Sequence, residues 1–446
     1  MTYDAVSQWD QIVTFNFTDW YPAINAILMW MLTRFWYSPA PISLLQIIIA
    51  SLVIGYGLNS IRNVSQLPGY ILIAIGFLIS ANPLVGVINI TLLKDVIYGF
   101  FVLLLTIYLF NVVSSDGEWI IKPTHYILLG ATLAIIWLFR FNGFPIVLVS
   151  LITTAIIYKK HLKQFAFSAL IAFTIILFVL GPLYSWFSVN KAFKQTYGMA
   201  FKQSYGIALI HPVVAYMSSN NNRADLSDEE KQYLNSIYPL NKTWPYNCYD
   251  ATVFLYQSNF MSVMKDPMLM LKIFFKFATR DPKVMIHHYL CLSSFIWQLN
   301  QPKNVYLETL VFDDFDFRQT PSWIDYREAV KQRSFLPEVR GLIMKIVEAE
   351  WHRDINSILW RPAIYMYLFL ASLAFFVYRT RRKKWLLLSV PLITQSIVIM
   401  FTVQLQALRY QYPVYLISML FTVPLFILGF KTQLIQQKMA LQSGEE

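Results

Sequence analysis

An all-α protein that crosses a membrane several times is what this sequence predicts, and three observations predict it. Hydrophobic residues fill 57% of 446 positions and charged residues only 14%. Apolar runs recur at lengths that can cross a hydrocarbon core, and the basic residues gather in the short loops between those runs. A soluble enzyme is excluded. The net charge of +11, which in a soluble protein would point to nucleic acid, is here a topology signal, and no nucleic-acid partner is expected.

Taken in order, residues 1–40 form a polar, aromatic first loop that carries Asp4, Asp10 and Asp19 and ends in a helix over residues 23–36. That stretch is interrupted by Arg34 and bounded by Pro39 and Pro41, so it reads as a helix lying at the interface, with Trp and Tyr at headgroup level. Residues 41–187 form an N-terminal bundle, with spans predicted near 42–58, 70–81, 95–113, 126–139, 145–158 and 165–187. Asn82-Pro83 and Arg140-Phe-Asn-Gly143 mark the outer turns. Residues 188–360 are hydrophilic and aromatic without strand-like alternation, so they read as a mostly helical external region. Within it Ser227-x-x-Glu230 is a capping box opening a helix to Ile237, and Leu336 to Trp351 reads as another. Spans near 363–378, 385–403 and 410–430 complete a C-terminal set within residues 361–430, about nine crossings in all, ahead of a cytoplasmic tail at 431–446.

Orientation follows from the two densest basic clusters, Lys159-Lys160-His161-Leu162-Lys163 and Arg379 to Lys384, with Arg62, Lys431 and Lys438 on the same side. The positive-inside rule puts that side in the cytoplasm and the first loop and residues 188–360 outside. An odd number of crossings with an external start implies either a further helix ahead of Met1 or export by the first span unaided. No cleavable signal peptide precedes Tyr3-Asp4. Cys248 and Cys291, both external, form either one bridge or two buried thiols.

The spans keep their ionisable residues at outer ends: Lys94 and Asp95, Arg140, Arg361 and Arg409. Outer ends should be poor in Lys and Arg under this orientation, so a positive cluster there beside Asp95 and the N-terminal aspartates is suited to holding phosphate, and the phosphate at an outer leaflet belongs to a lipid. A neighbouring carboxylate could deprotonate a hydroxyl or hold a divalent cation. His287 and His288, adjacent on a helix, point about 100° apart and read as structural. Trp244, Trp297 and Trp323 could stack on sugar rings.

Tyr3-Asp4 with Gln8 or Gln11, Tyr21-Pro22 ahead of a membrane-surface helix, Lys94-Asp95 at a span start, Arg140-Phe-Asn142-Gly143, Arg409-Tyr410-Gln-Tyr412-Pro413 and the external Leu226-Ser-Asp-Glu-Glu230 occur in this order. Together they resemble the GT-C superfamily of membrane glycosyltransferases, the group that includes protein O-mannosyltransferases and the aminoarabinose transferase, and in particular a bacterial branch of it. The resemblance covers nearly the whole chain through short motifs. It implies a GT-C-like transmembrane bundle in a bacterial inner membrane, with the active site on the external face. It also implies a sugar donor linked to polyprenyl phosphate, a glycan, lipid or protein acceptor, and a single displacement with inversion. On that pattern Asp4 is the catalytic base, and Lys94, Arg140 and Arg409 hold the donor phosphate, each well-placed donor contributing roughly 3 kcal/mol. Asn142 and Tyr410 support them. Asp95 binds a divalent cation or orients Lys94, metal use being variable in the superfamily. Tyr21 stands where the pattern often has His.

Three other readings remain open, the third a non-catalytic assembly protein, against which loss of all activity on changing Asp4 would count. A polysaccharide polymerase or ligase would use a polyprenyl-diphosphate donor and arginines of the external region such as Arg318, Arg327, Arg333 and Arg340. A lipid-linked sugar transporter would place polar, broken helices near the midplane.

Overall fold

The computed structural model describes residues 3–19, 21–65, 67–189, 203–219, 226–302, 337–348 and 360–443. Among these residues every regular element is a helix, and one isolated bridge pairs Asp250 with Leu405. The first part comprises α1 (Tyr3–Thr14), α2 (Ala23–Phe35), α3 (Ala40–Ser65), α4 (Gly69–Ser80), α5 (Pro83–Ile90), α6 (Lys94–Ser114), α7 (Pro123–Phe139), α8 (Phe144–Ile157) and α9 (Leu162–Phe178). The middle part contributes α10 (Gln203–Ser219), α11 (Asp228–Ile237), α12 (Pro267–Arg280), α13 (Pro282–Leu292) and α14 (Pro337–Glu348). The last part is α15 (Pro362–Thr380), α16 (Val390–Thr402) and α17 (Tyr412–Ser443).

Among the described residues six helical stretches are long and apolar enough to cross a membrane: Ala40–Ser65, Lys94–Ser114, Lys159–Trp186, Pro362–Thr380, Lys383–Thr402 and Leu408–Lys431. This is a multi-pass membrane protein. The expected count of nine is not reached on length, and the three remaining segments show why. Helix α4 has 12 residues, α7 has 17 and α8 has 14, or about 18, 25 and 21 Å at 1.5 Å per residue, against a hydrocarbon core of about 30 Å. Asn82-Pro83, read as an outer turn, instead starts a new helix: the Asn82 side chain accepts from the Leu84 and Val85 amides and Pro83 takes the first helical position. Helices α4 and α5 are thereby bent by 56° and make a seventh span only if counted together.

Helix α6 is the axis of the bundle. Its apolar window is 89% buried, against 22% for Lys159–Trp186, because residues all round its circumference are apolar and α3, α7 and α17 cover it. Gly99 decides how close α17 comes: a Cβ there would lie 2.6 Å from the Tyr412 ring, which itself packs edge-on against Phe100. The last residues of α6 lead to Asp116 and Glu118, which pair with Lys384 (2.6 Å) and Lys160 (2.8 Å). Both dense basic clusters therefore meet at one end of the bundle. The 21 residues of α6 put Lys94 about 30 Å away at the opposite end, the thickness of a hydrocarbon core.

This middle part, expected to be external, has its own core, built from Ile210, Val214, Leu234, Phe254, Ile273 and Phe277 among others. The Ser227 capping box forms as the sequence predicts, with Glu230 reaching back to the Ser227 amide and also pairing with Lys276 at 2.7 Å. Cys248 and Cys291 form a disulfide. Arg361, grouped by sequence with the outer-end cations, is fully buried and donates to the Gln298 and Ser294 carbonyls. It anchors α15 to this region and takes no part in the cluster described below. Trp244 is 1% exposed and stacks on Phe254, so it cannot face a sugar. Trp323, Arg318, Arg327 and Arg333 lie outside the described residues.

His288, read as structural, is buried; the Tyr246 hydroxyl lies 2.9 Å from its Nδ1 and its ring lies edge-on to His211. Burial pushes both imidazoles down from 6.5, His211 to about 4 and His288 to about 2. The unfolded chain takes up protons on them below pH 6.5, whereas the folded chain holds them neutral until pH reaches those lower values. Stability present above pH 6.5 is therefore lost as pH falls, by about 1.4 kcal/mol per pH unit for each histidine. Chemical unfolding at pH 7 and pH 5 is expected to show this loss, and His288→Gln to remove its share of the slope.

Candidate functional site

Helix α1 carries Asp4 in its first turn because its other face is apolar. Ala5, Trp9 and Ile12, at helical spacing, bury against Met29 and Leu92. Two amides fix its orientation: Gln8 accepts from Asn25, and the Gln11 side chain accepts from the Thr18 backbone at 3.1 Å. Both glutamines lie in the same motif as Asp4, and both hold the first loop together.

Three other elements arrive at Asp4. The turn before α2 brings Tyr21, whose hydroxyl donates to Asp4 Oδ1 at 2.9 Å. The first turn of α6 brings Lys94, with Nζ 3.6 Å from Asp4 Oδ2 and 4.4 Å from the centre of the Tyr21 ring. The turn Leu408–Gln411 ahead of α17 brings Arg409, 3.2 Å from the same oxygen. Residues 4, 94 and 409 are thus joined in one cluster, with side chains 16%, 11% and 9% exposed. Burial alone would push the Asp4 carboxyl up; Arg409, Lys94 and the Tyr21 hydrogen bond outweigh it and hold the group at about 2.

Arg140, at the break between α7 and α8, stands in a second layer. It pairs with Asp95 at 2.5 Å, and its guanidinium lies over the rings of Tyr98 (5.4 Å) and Tyr410 (4.9 Å). Tyr410 joins the layers, since Arg409 also lies over it at 5.2 Å. Asp95 therefore orients Arg140, and the expected pairing with Lys94 is replaced: Lys94 and Asp95 are adjacent on a helix, where neighbouring side chains diverge by about 100°. Asn142 donates to Thr402 at the end of α16, tying the turn to that helix.

The metal reading of Asp95 does not fit its surroundings. One oxygen is taken by Arg140 and the other, Oδ2, is buried with no hydrogen-bond partner. No group of three His, Cys, Asp or Glu side chains able to hold a cation occurs among the described residues. A cation placed there would meet a guanidinium first.

Two positioning residues escaped the sequence reading. Tyr21 enters the sequence reading only through the Tyr21-Pro22 motif, as a departure from its usual His, with no role at Asp4. Gln395, fully buried in α16, accepts from the Tyr98 hydroxyl (2.5 Å) and donates to the Tyr410 carbonyl (2.6 Å), fixing the turn that carries Arg409. An amide inside the apolar run Leu392 to Met400 was the available signal, because a buried amide in a membrane span needs partners.

These five side chains, three cations and two carboxylates, sum to one net positive charge at the end of the bundle opposite the basic loops. The arrangement can hold a singly charged phosphodiester while keeping an ionised carboxylate beside it. Comparison with protein-family models, with curated proteins and with solved structures returns no match for this chain.

Proposed function

We propose that this protein is a membrane glycosyltransferase that moves a sugar from a polyprenyl-phosphate donor to an extracytoplasmic glycan, lipid or protein acceptor, with inversion. The observation that carries the reading is Asp4 held between Lys94 and Arg409 at one end of a membrane bundle. The basic loops at the far end of α6 support an external position for it, and the resemblance implies a bacterial inner membrane.

In the resting site the two cations depress the basicity of Asp4. A donor phosphate arriving on Lys94 and Arg409 competes for them, draws them off the carboxylate and makes Asp4 a stronger base at the moment an acceptor is present. The acceptor oxygen then attacks the anomeric carbon from the face opposite the phosphate. Its proton passes to Asp4, the bond from the anomeric carbon to the phosphate oxygen breaks, and that electron pair leaves on the polyprenyl phosphate, where Arg409 and Lys94 stabilise the added charge. Arg140, tied to Asp95, contributes through Tyr410 and the field of the second layer.

Glycans of cells expressing the wild type or Arg409→Ala, read by mass spectrometry, test the reading. A hexose, pentose or amino-sugar addition should be present with the wild type and lost with the variant at equal protein level in the membrane. Unchanged glycans would overturn it, and use of a diphosphate-linked donor in place of the monophosphate would move it to a polymerase or ligase. A finer prediction concerns Tyr21→Phe, which keeps the ring under Lys94 and removes only the hydrogen bond. A bond to the charged form lowers a carboxyl pKa, so its loss raises it. The acid limb of the rate profile should move up by about one pH unit, the equivalent of about 1.4 kcal/mol.

A further inference from the structure

Helix α13 belongs to the extramembrane region, yet its outward face is apolar. Ile286 is 59% and Leu290 40% exposed, while Met285, His288 and Leu292 are buried. Just beyond it Trp297 is 37% and Leu299 51% exposed, and the Trp297 indole donates to the Leu290 carbonyl at 3.1 Å. Two contacts join this strip to the surface of the bundle. Tyr289 packs edge-on against Phe401, at 5.1 Å. Phe401 ends a stripe of exposed apolar residues on α16, Ile393, Ile397 and Phe401, spaced one turn apart. The Tyr367 hydroxyl donates to the Trp297 carbonyl at 2.6 Å, and Tyr367 and Leu368 are exposed on α15. Tyr367 lies five residues past the start of α15 at Pro362, about 8 Å along its axis. Trp297 therefore stands beside the second turn of a membrane span, below its end.

On α13, Ile286 and Leu290 lie about 60° and 100° round the helix from Tyr289, on the side away from the core. Exposed Lys283 and His287 are farther round, at the border of the strip. This is the pattern of a helix lying in a bilayer interface: apolar residues toward the acyl boundary, an indole at headgroup level and a lysine at the edge within reach of lipid phosphate. We infer that the α13–Trp297 edge of the extramembrane region is seated in the lipid headgroup layer, as an outward continuation of the lipid-facing surfaces of α15 and α16. The occupant of this face is lipid, because the strip is continuous with surfaces that a bilayer already covers. The seating also gives the loop carrying Arg409 a fixed height: Gln406 donates to the Cys291 and Leu292 carbonyls at the end of α13.

Nitroxide labels test this on the full chain in phosphatidylglycerol-containing nanodiscs. The native cysteines are joined to each other, so a single added cysteine is labelled selectively. Ile286→Cys and Leu290→Cys are compared with Ile397→Cys as the lipid reference and Asp228→Cys, whose native side chain is fully exposed, as the water reference. Collision with oxygen and with a water-soluble nickel chelate should give positions 286 and 290 an oxygen-to-nickel ratio several-fold above that of position 228 and close to that of 397. A ratio equal to that of position 228 overturns the inference. So does shielding from both reagents, which would mean that protein, whether another segment of this chain or a second copy, covers the face. The measurement reads no sugar transfer, so its outcome is independent of the proposed activity.

Discussion

Under the proposed activity, Asp4→Asn is expected to lower the turnover of sugar transfer by about 100- to 10,000-fold, the range general-base catalysis contributes, with the protein still inserted. Asparagine keeps the shape of the side chain, and its oxygen can still accept from the Tyr21 hydroxyl, which donates to Oδ1 in the native site. What is lost is the negative charge shared by Lys94 and Arg409. The donor phosphate then no longer competes with the Asp4 carboxylate for those two cations, so KM for the donor should stay level or fall while kcat collapses. This split separates a base from a mere structural anion, since loss of a structural anion would disorder Lys94 and Arg409 and raise KM. Steady-state transfer in inverted and right-side-out vesicles reads both constants, and turnover within threefold of wild type would remove Asp4 from the role.

Asp95→Ala should have the largest effect on stability. Asp95 is 1% exposed and its partner Arg140 is 9% exposed. Removing one partner of a buried pair leaves the other charge desolvated, at a cost of about 3–5 kcal/mol. The surroundings can relieve little of this, because the Tyr98 and Tyr410 rings enclose the guanidinium. Replacing both partners, Asp95→Leu with Arg140→Met, should recover most of the loss, since an apolar pair of similar volume needs no counter-charge. The recovered variant should still transfer poorly, having lost the field that the second layer supplies. Thermal unfolding in nanodiscs alongside transfer assays distinguishes the cases. A double variant that regains stability and full activity would confine the pair to structure.

Much of the architecture was legible in the chain. An apolar run with a lysine at one end and loop acids at the other has only one way to satisfy its backbone in lipid, which is a helix, and α6 begins and ends within one residue of the expected 95–113. The capping box at Ser227 was readable because its two hydrogen bonds are local, three residues apart. Span number was less legible: composition alone does not say whether Asn82-Pro83 ends a helix or starts another, and the side-chain cap that decides it depends on the local backbone. Within the site, residue types and their placement at span ends were readable one by one, but their partners were not. Lys94 and Asp95, neighbours in sequence, diverge to Asp4 and to Arg140.

The sequence by itself determined the class of the protein, the ends at which its charges sit and the side on which its basic loops gather, because burial in hydrocarbon is a matter of composition and period. Only the tertiary structure decided which charges meet. Asp4 and Arg409 are 405 residues apart, and no local rule joins them. They meet because Trp9 and Ile12 dock α1 on the bundle, the absence of a side chain at Gly99 admits Tyr412 against α6, and Gln395 holds Tyr410. Each of these is a close contact between distant segments, and close packing makes such contacts specific.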